Sequence, residues 1–185
     1  MTLNNARMAC ASPPFGRPGR GTGVHAKTSK CTCALAFSTK RLRKSAAVMD
    51  PAGEVDLGLR RLIGHVASQV GGCLYCQAHT LLGARNFGVS DEKLAEVWNF
   101  ARSPLYDERE RVALEYALAA ASQPNAVTDE LFARLRAHWS EGEVVEILGV
   151  IAMFAFLNRW NDTMATPLEP VPTEVAARTA GARGW

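Results

Sequence analysis

Gly71-Gly72-Cys73-Leu74-Tyr75-Cys76-Gln77-Ala78-His79-Thr80 is the stretch of this chain in which redox-capable and proton-carrying side chains fall at spacings that chemistry can use. Two glycines let the backbone turn without a Cβ penalty. The residues after them, running on to Leu81 and Leu82, read as a helix that opens at or near Cys73. Both thiols then sit in a helix's first turns. Unpaired N–H groups and the positive dipole end there favour thiolate over thiol, lowering a free-cysteine pKa from its usual value of about 8.5. Cys73 and Cys76, three apart, are neighbours on one face and near enough to join as a disulfide with modest adjustment. His79, three beyond Cys76, lies over the same face, where it can take or deliver the proton that thiol chemistry moves.

Three arrangements fit this cluster. Buried cysteines packed beside a structural histidine are the bland one. A zinc site is another, but the segment offers three ligands and a fourth would have to come from Cys10, His25, Cys31, Cys33 or His65. No second C-x-x-C or H-x₃₋₅-H accompanies it, so no metal and no other cofactor is expected. A redox-active dithiol needs nothing beyond what is present and is the preferred reading.

The chain has 185 residues, 48% apolar and 21% charged, which suits a folded domain of ordinary size. Its net charge of +3 conceals an asymmetry. Residues 1–49 hold nine of the 21 Lys and Arg and none of the 18 Asp and Glu, so the remainder is acidic. A nucleic-acid partner is therefore not expected, because a basic footprint belongs on the folded surface that docks. Five cysteines without regular spacing do not make a secreted disulfide framework. The longest uncharged apolar run, Ile147 to Leu157, is too short to span a membrane and is expected as a buried core helix, covered all round by other helices or by another subunit.

Residues 1–48 read as a basic extension with little fixed structure, either a solvated tail, a consequence of an early start codon with Met49 as the internal candidate, or a mitochondrial transit peptide. The expected compartment is the cytoplasm, or the mitochondrion if the extension is such a peptide. From Glu54 onward Leu57, Leu62, Ile63, Val66 and Val70 recur at helical spacing up to Gly71-Gly72, with Arg61 and His65 four apart on one face and able to lean toward the cysteines. The cysteine helix should stop near Asn86-Phe87-Gly88. Ser90 should cap a third helix reaching about Ala101, with Leu94, Val97, Trp98 and Ala101 inward. Asp107-x-x-Glu110 and Ser140-x-x-Glu143 read as capping boxes, the second opening a long helix to about Met164, with a short helix from Thr128 to His138 between. Residues 169–185 are expected as an arm or a tail without fixed structure. No strand-like alternation appears, so the class is all-α.

Leu59-Arg60-Arg61-Leu62-Ile63-Gly64-His65-Val66-Ala67-Ser68 running into Gly72–Thr80 resembles the signature of the carboxymuconolactone decarboxylase superfamily, in its alkylhydroperoxidase-D-like branch. Softer matches extend through Glu110-Arg111, Glu143-Val144-Val145-Glu146 and Phe156–Asp162, so the resemblance covers roughly residues 50 to 170, within a domain placed at 49–168. It implies a helical, homo-oligomeric protein, often a trimer or hexamer, that reduces peroxides with thiols and without haem or flavin. It also implies that Cys76 attacks the peroxide and that Cys73 resolves the sulfenic acid as a disulfide, which an external dithiol then reduces. Spacing alone leaves that choice open, since Cys73 has the better dipole position and Cys76 has His79. Where the best-known peroxidase members carry a proton-accepting glutamate this chain has Arg61, and His65, one turn further on, is the candidate replacement. The family histidine often falls at the position of Thr80, but offsets of three and four share a helical face and His79 can still serve.

The expected function is thus thiol-dependent reduction of hydroperoxides through Cys73 and Cys76, with His79 and His65 handling protons. The alternatives are a non-catalytic redox-sensing or ligand-binding oligomer and, third, a decarboxylase-like lyase, against which the cysteine pair argues. Asn158, Arg159, Trp160 and Asp162, at the end of the long apolar helix, either line a substrate pocket or, for Arg159 and Asp162, form a structural ion pair.

Overall fold

The computed structural model describes residues 49–180, and the basic extension with Cys10, His25, Cys31 and Cys33 lies outside them. The described residues are helical throughout: α1 (Leu57–Val70), α2 (Leu74–Asn86), α3 (Asp91–Ala95), α4 (Glu108–Ala121), α5 (Asp129–His138), α6 (Glu141–Met164) and α7 (Pro170–Ala180), with a 3₁₀ turn at Val97–Asn99. Helices α1 and α2 form a hairpin about Gly71-Gly72, and α1 also packs on α4 and α6. Gly72 has φ +70°, a conformation that a side chain would strain. At Gly64 the Phe154 ring of α6 lies against the α1 backbone, since a Cβ there would fall 2.3 Å from it. None of the helices among the described residues is long and apolar enough to cross a membrane.

Both expected capping boxes form, Asp107 with Glu110 and Ser140 with Glu143, and Thr128 caps α5 through the Leu131 N–H. Two expectations need correction. The third helix is not continuous to Ala101. After α3 the chain tightens into the 3₁₀ turn, because Leu94, Val97 and Phe100 are the buried residues and their spacing of three matches three residues per turn. Residues 170–180 are a helix rather than a loose arm: Pro172, Val175, Ala176 and Thr179 are buried as α7 lies across α2 and α3. Within the chain, other helices cover the apolar run of α6 on one side only. Ile147, Val150, Ile151 and Phe154 point into the core, while Val145, Leu148 and Phe156 are 70%, 46% and 45% exposed.

The entry to α1 is held by a buried charge. Arg60, 1% exposed, donates through Nε to Val55 O (2.6 Å) and through Nη1 to Asp50 O (2.9 Å), and pairs with Glu146 of α6 at 2.8 Å. The other oxygen of Glu146 accepts the N–H groups of Glu54 (3.0 Å) and Val55 (2.9 Å). Breaking such a buried pair costs far more than losing a surface bridge. Glu146→Ala is therefore expected to destabilise the protein by about 3 kcal/mol, read from denaturant midpoints. Surface truncations such as Glu141→Ala should cost well under 1 kcal/mol, roughly.

Candidate active site

Cys73 is the N-cap of α2, and its sulfur occupies the place that a capping oxygen normally takes, accepting the Cys76 N–H at 3.4 Å. Both residues are free thiols, 2% and 3% exposed. Donation from the Cys76 side chain, with the N–H groups of Cys76 and Tyr75, favours the Cys73 thiolate. Against burial and the nearby Asp162 carboxylate, these donors bring the Cys73 pKa down to about 7. The same donation, with burial, pushes the Cys76 thiol well above the ordinary cysteine range; the Asn161 amide opposes this. The two shifts run in opposite directions, so ionisation at Cys73 is favoured over ionisation at Cys76.

His65 is buried on α1 against the α2 backbone. Its Nδ1 lies 3.2 Å from Gln77 O and 3.1 Å from Thr80 Oγ1, while that hydroxyl donates back to the carbonyls of Cys76 and Gln77, each at 2.8 Å. Nδ1 faces a carbonyl and a hydroxyl whose proton is already engaged, so Nδ1 carries the hydrogen and Nε2 is the bare nitrogen. Nε2 is buried without a hydrogen-bond partner, near the Trp98 ring (centroids 5.9 Å apart). Burial lowers the His65 pKa to about 4, only partly offset by Gln77 O. His79 is held elsewhere: Nδ1 donates to Tyr75 O (2.9 Å), the ring stacks on Tyr75 at 4.1 Å, and Nε2 faces Glu169 at 3.2 Å. Among the described residues no hydrogen bond joins either histidine to a sulfur.

Arg61, at the position of the family glutamate, does not reach the thiols. Its stem lies along Gly83, where a Cβ would come within 2.9 Å of Arg61 Cδ, and its guanidinium sits 5.8 Å from the Phe87 ring centroid. Gly83 is seven residues past Cys76, about 10 Å along the helix axis. Burial and the neighbouring Arg60 lower the Arg61 pKa.

The polar end of α6 divides by face. Asn158 is buried, donates to Ala67 O at 3.2 Å and packs against Gly71, where a Cβ would meet its Nδ2 at 2.9 Å. Arg159 and Asp162 are exposed, and the ion pair considered for them is not formed among the described residues. Trp160 packs beside Phe156, ring centroids 6.0 Å apart. The residue that touches the sulfur is Asn161, whose Nδ2 lies 3.4 Å from Cys76 Sγ. Sequence reasoning passed over it, although its spacing was a usable signal. Ile147, Ile151, Phe154, Asn158 and Asn161 recur every three or four residues, so the two asparagines share the buried stripe. Tyr75 and Glu169 also escaped notice, because the position of Glu169 depends on α7 folding back.

The family model of the Carboxymuconolactone decarboxylase family matches residues 37–119. The uncharacterized protein YnjA of Escherichia coli (strain K12) is 30% identical over 128 residues, covering 69% of this chain and 67% of its own. Among solved structures, the debrominase Bmp8, as a cysteine-to-alanine variant in complex with 2,3,4-tribromopyrrole, superposes with a TM-score of 0.71 at 29% identity over 82% of this chain and 80% of its own. An uncharacterized peroxidase-related protein from Ralstonia eutropha JMP134 with an alkylhydroperoxidase AhpD core has a TM-score of 0.64 at 23% identity, covering 78% of this chain and 77% of that one, and shares the fold.

The buried His65 has a measurable consequence for stability. Its folded pKa of about 4 lies below the unfolded value near 6.5. Between those values the unfolded chain binds the extra proton, so stability falls as the pH drops from 6.5 toward 4. The contribution lost is roughly 3 kcal/mol. Urea unfolding at the two ends of this window is expected to show that loss in the wild type and a clearly smaller one in His65→Gln.

Proposed function

Because this chain belongs to the carboxymuconolactone decarboxylase family, we propose that it is a thiol-dependent oxidoreductase in which Cys73 and Cys76 pass from dithiol to disulfide while a small hydroperoxide is reduced. The observation that carries this reading is the pair of buried free thiols at the start of α2, where the Cys73 sulfur accepts the Cys76 N–H at 3.4 Å and its thiolate is favoured. In the proposed cycle a Cys76 thiolate attacks the terminal peroxide oxygen, the O–O bond breaks, and the alcohol leaves as Cys76 becomes a sulfenic acid. Cys73 then displaces water to form the disulfide. The two electrons come from the pair, and an external dithiol restores it by exchange. His79 and His65 are the proposed proton-handling groups: His79 beside Glu169 at the surface, His65 through its bare Nε2. A pair that must be returned to the dithiol state suits the cytoplasm. The uncovered apolar face of α6, with Val145, Leu148 and Phe156, is the proposed contact of a homo-oligomer.

The likeness to the debrominase favours a second reading with the same electron count. A carbon–bromine bond would be replaced by carbon–hydrogen, two thiols would become the disulfide, and bromide and a proton would be released.

Reduced protein should form a Cys73–Cys76 disulfide with one equivalent of an organic hydroperoxide, detected by peptide mass spectrometry, and should consume peroxide continuously with an added dithiol. Cys76→Ser is expected to abolish both. Bromide release from 2,3,4-tribromopyrrole without peroxide consumption would instead select dehalogenation. A single oxidation without turnover would mark a sensor, and activity surviving loss of both cysteines would mark lyase chemistry.

A further inference from the structure

The charge arrangement above poses a difficulty for the proposed cycle. The sulfur assigned to attack, that of Cys76, is 3% exposed, and burial beside the Cys73 sulfur disfavours its thiolate. A thiolate at Cys76 therefore needs a hydrogen-bond donor of its own. Cys73 has two backbone N–H groups for this purpose. Cys76 lies one turn further into α2, where backbone N–H groups are engaged along the helix. The side-chain donor that reaches it is Asn161.

We propose that Asn161 is a catalytic residue that selects Cys76 as the attacking sulfur, its Nδ2 hydrogen-bonding the Cys76 thiolate and, after attack, the sulfenic acid. The assignment deepens the thiol-oxidoreductase reading and, as a role in attack, rests on it. The orientation of the amide is settled by its neighbours. Nδ2 donates to Leu157 O at 3.0 Å, and Oδ1 accepts from Thr166 Oγ1 at 3.0 Å. Reversing the amide would set Oδ1 against the Leu157 carbonyl, two acceptors face to face. With Oδ1 pinned and one Nδ2 hydrogen spent on Leu157, the remaining hydrogen points at Cys76 Sγ. The pin itself depends on the turn after α6. Ala165 adopts φ +49°, a left-handed conformation unusual for a residue with a Cβ, and the Thr166 N–H donates to Asn161 O at 3.1 Å. A strained residue is thus used to bring Thr166 back onto the asparagine.

The groups that bear electrostatically on the pair are few. Cys73 and Tyr75 act from α2, Asp162 acts from α6 on Cys73, and Glu169 lies beyond them on the Tyr75 hydroxyl. Asp162, being an anion, disfavours charge on Cys73 and so helps to shift it toward Cys76. Asn161 supplies the matching attraction at the receiving atom.

The test isolates Cys76 by working in Cys73→Ser full-length protein and following iodoacetamide modification of each cysteine by peptide mass spectrometry across pH, which requires no peroxide. Asn161→Leu, of similar volume without the donor, is expected to raise the inflection of Cys76 alkylation by about one pH unit or more, lowering its rate at neutral pH about tenfold. Asn161→Asp, which brings a carboxylate to the sulfur, should raise it further, and Thr166→Val, which releases the pin, should raise it by less. In protein with both cysteines intact, Asn161→Leu should slow sulfenic acid formation at Cys76 by a similar factor. An unmoved Cys76 inflection in Asn161→Leu overturns the assignment. If that variant does not fold, Thr166→Val decides the matter alone by the same criterion. Inflections that shift as described in a protein inert to peroxide would leave the donor role of Asn161 standing and remove only the peroxidase reading.

Discussion

The N-cap contact in which the Cys73 sulfur accepts the Cys76 N–H organises the functional end of this molecule. It exists because Cys73 is both the last residue of a glycine turn and the N-cap of α2, so its sulfur hangs over the first turn of the helix and meets Cys76 three residues on. Serine or aspartate would cap as well, but neither could later accept a second bond from its neighbour and become a disulfide. Capping and redox chemistry are thus served by one atom. The cost of burying a thiolate is offset by donors already needed at a helix start, which is why the Cys73 pKa falls although the residue is covered.

The rest of the fold keeps that turn in place. Gly71 has no Cβ, and Asn158 fills the space while holding the carbonyl of Ala67 at the end of α1. Gly64 lets Phe154 lie against α1 lower down, and the Arg60–Glu146 pair ties the chain entering α1 to the start of α6. Helices α1 and α6 are therefore joined at both ends and in the middle. Their joint is what brings Asn161, 85 residues from Cys76, to within hydrogen-bond reach of its sulfur. His65 contributes from the other side, bracing the α2 backbone through Gln77 and Thr80 rather than touching a thiol.

Much of this was legible in the sequence, for reasons that are local. The glycine turn, the C-x-x-C spacing, both capping boxes and the limits of α1, α2 and α4 to α6 depend on neighbours within a few residues, where helix geometry is decisive. What was not legible depends on distant contacts. Helix α7 reads as a proline-containing tail, yet Val175 and Ala176 give it a buried face against α2 and α3. The 3₁₀ turn after Ala95 follows from the need to bury Phe100, which its own segment does not announce. In the polar cluster at residues 158–162 the sequence pointed to Asn158, Arg159, Trp160 and Asp162, of which Arg159 and Asp162 face outward, and left out Asn161, which continues the buried stripe after Asn158. Helical spacing likewise set His79 at the sulfurs, whereas its ring nitrogens are engaged by Tyr75 and Glu169.

The most direct test of this account is the order in which the two thiols of the reduced wild-type protein ionise. Alkylation by iodoacetamide, resolved by peptide for Cys73 and Cys76 over a range of pH, reads it without assuming any substrate. The opposite shifts of the two thiols predict that Cys73 reacts with an inflection at about 7, while Cys76 stays unmodified in molecules whose Cys73 is still free. Equal rates at the two cysteines, each with an inflection at the free-cysteine value of about 8.5, would contradict it.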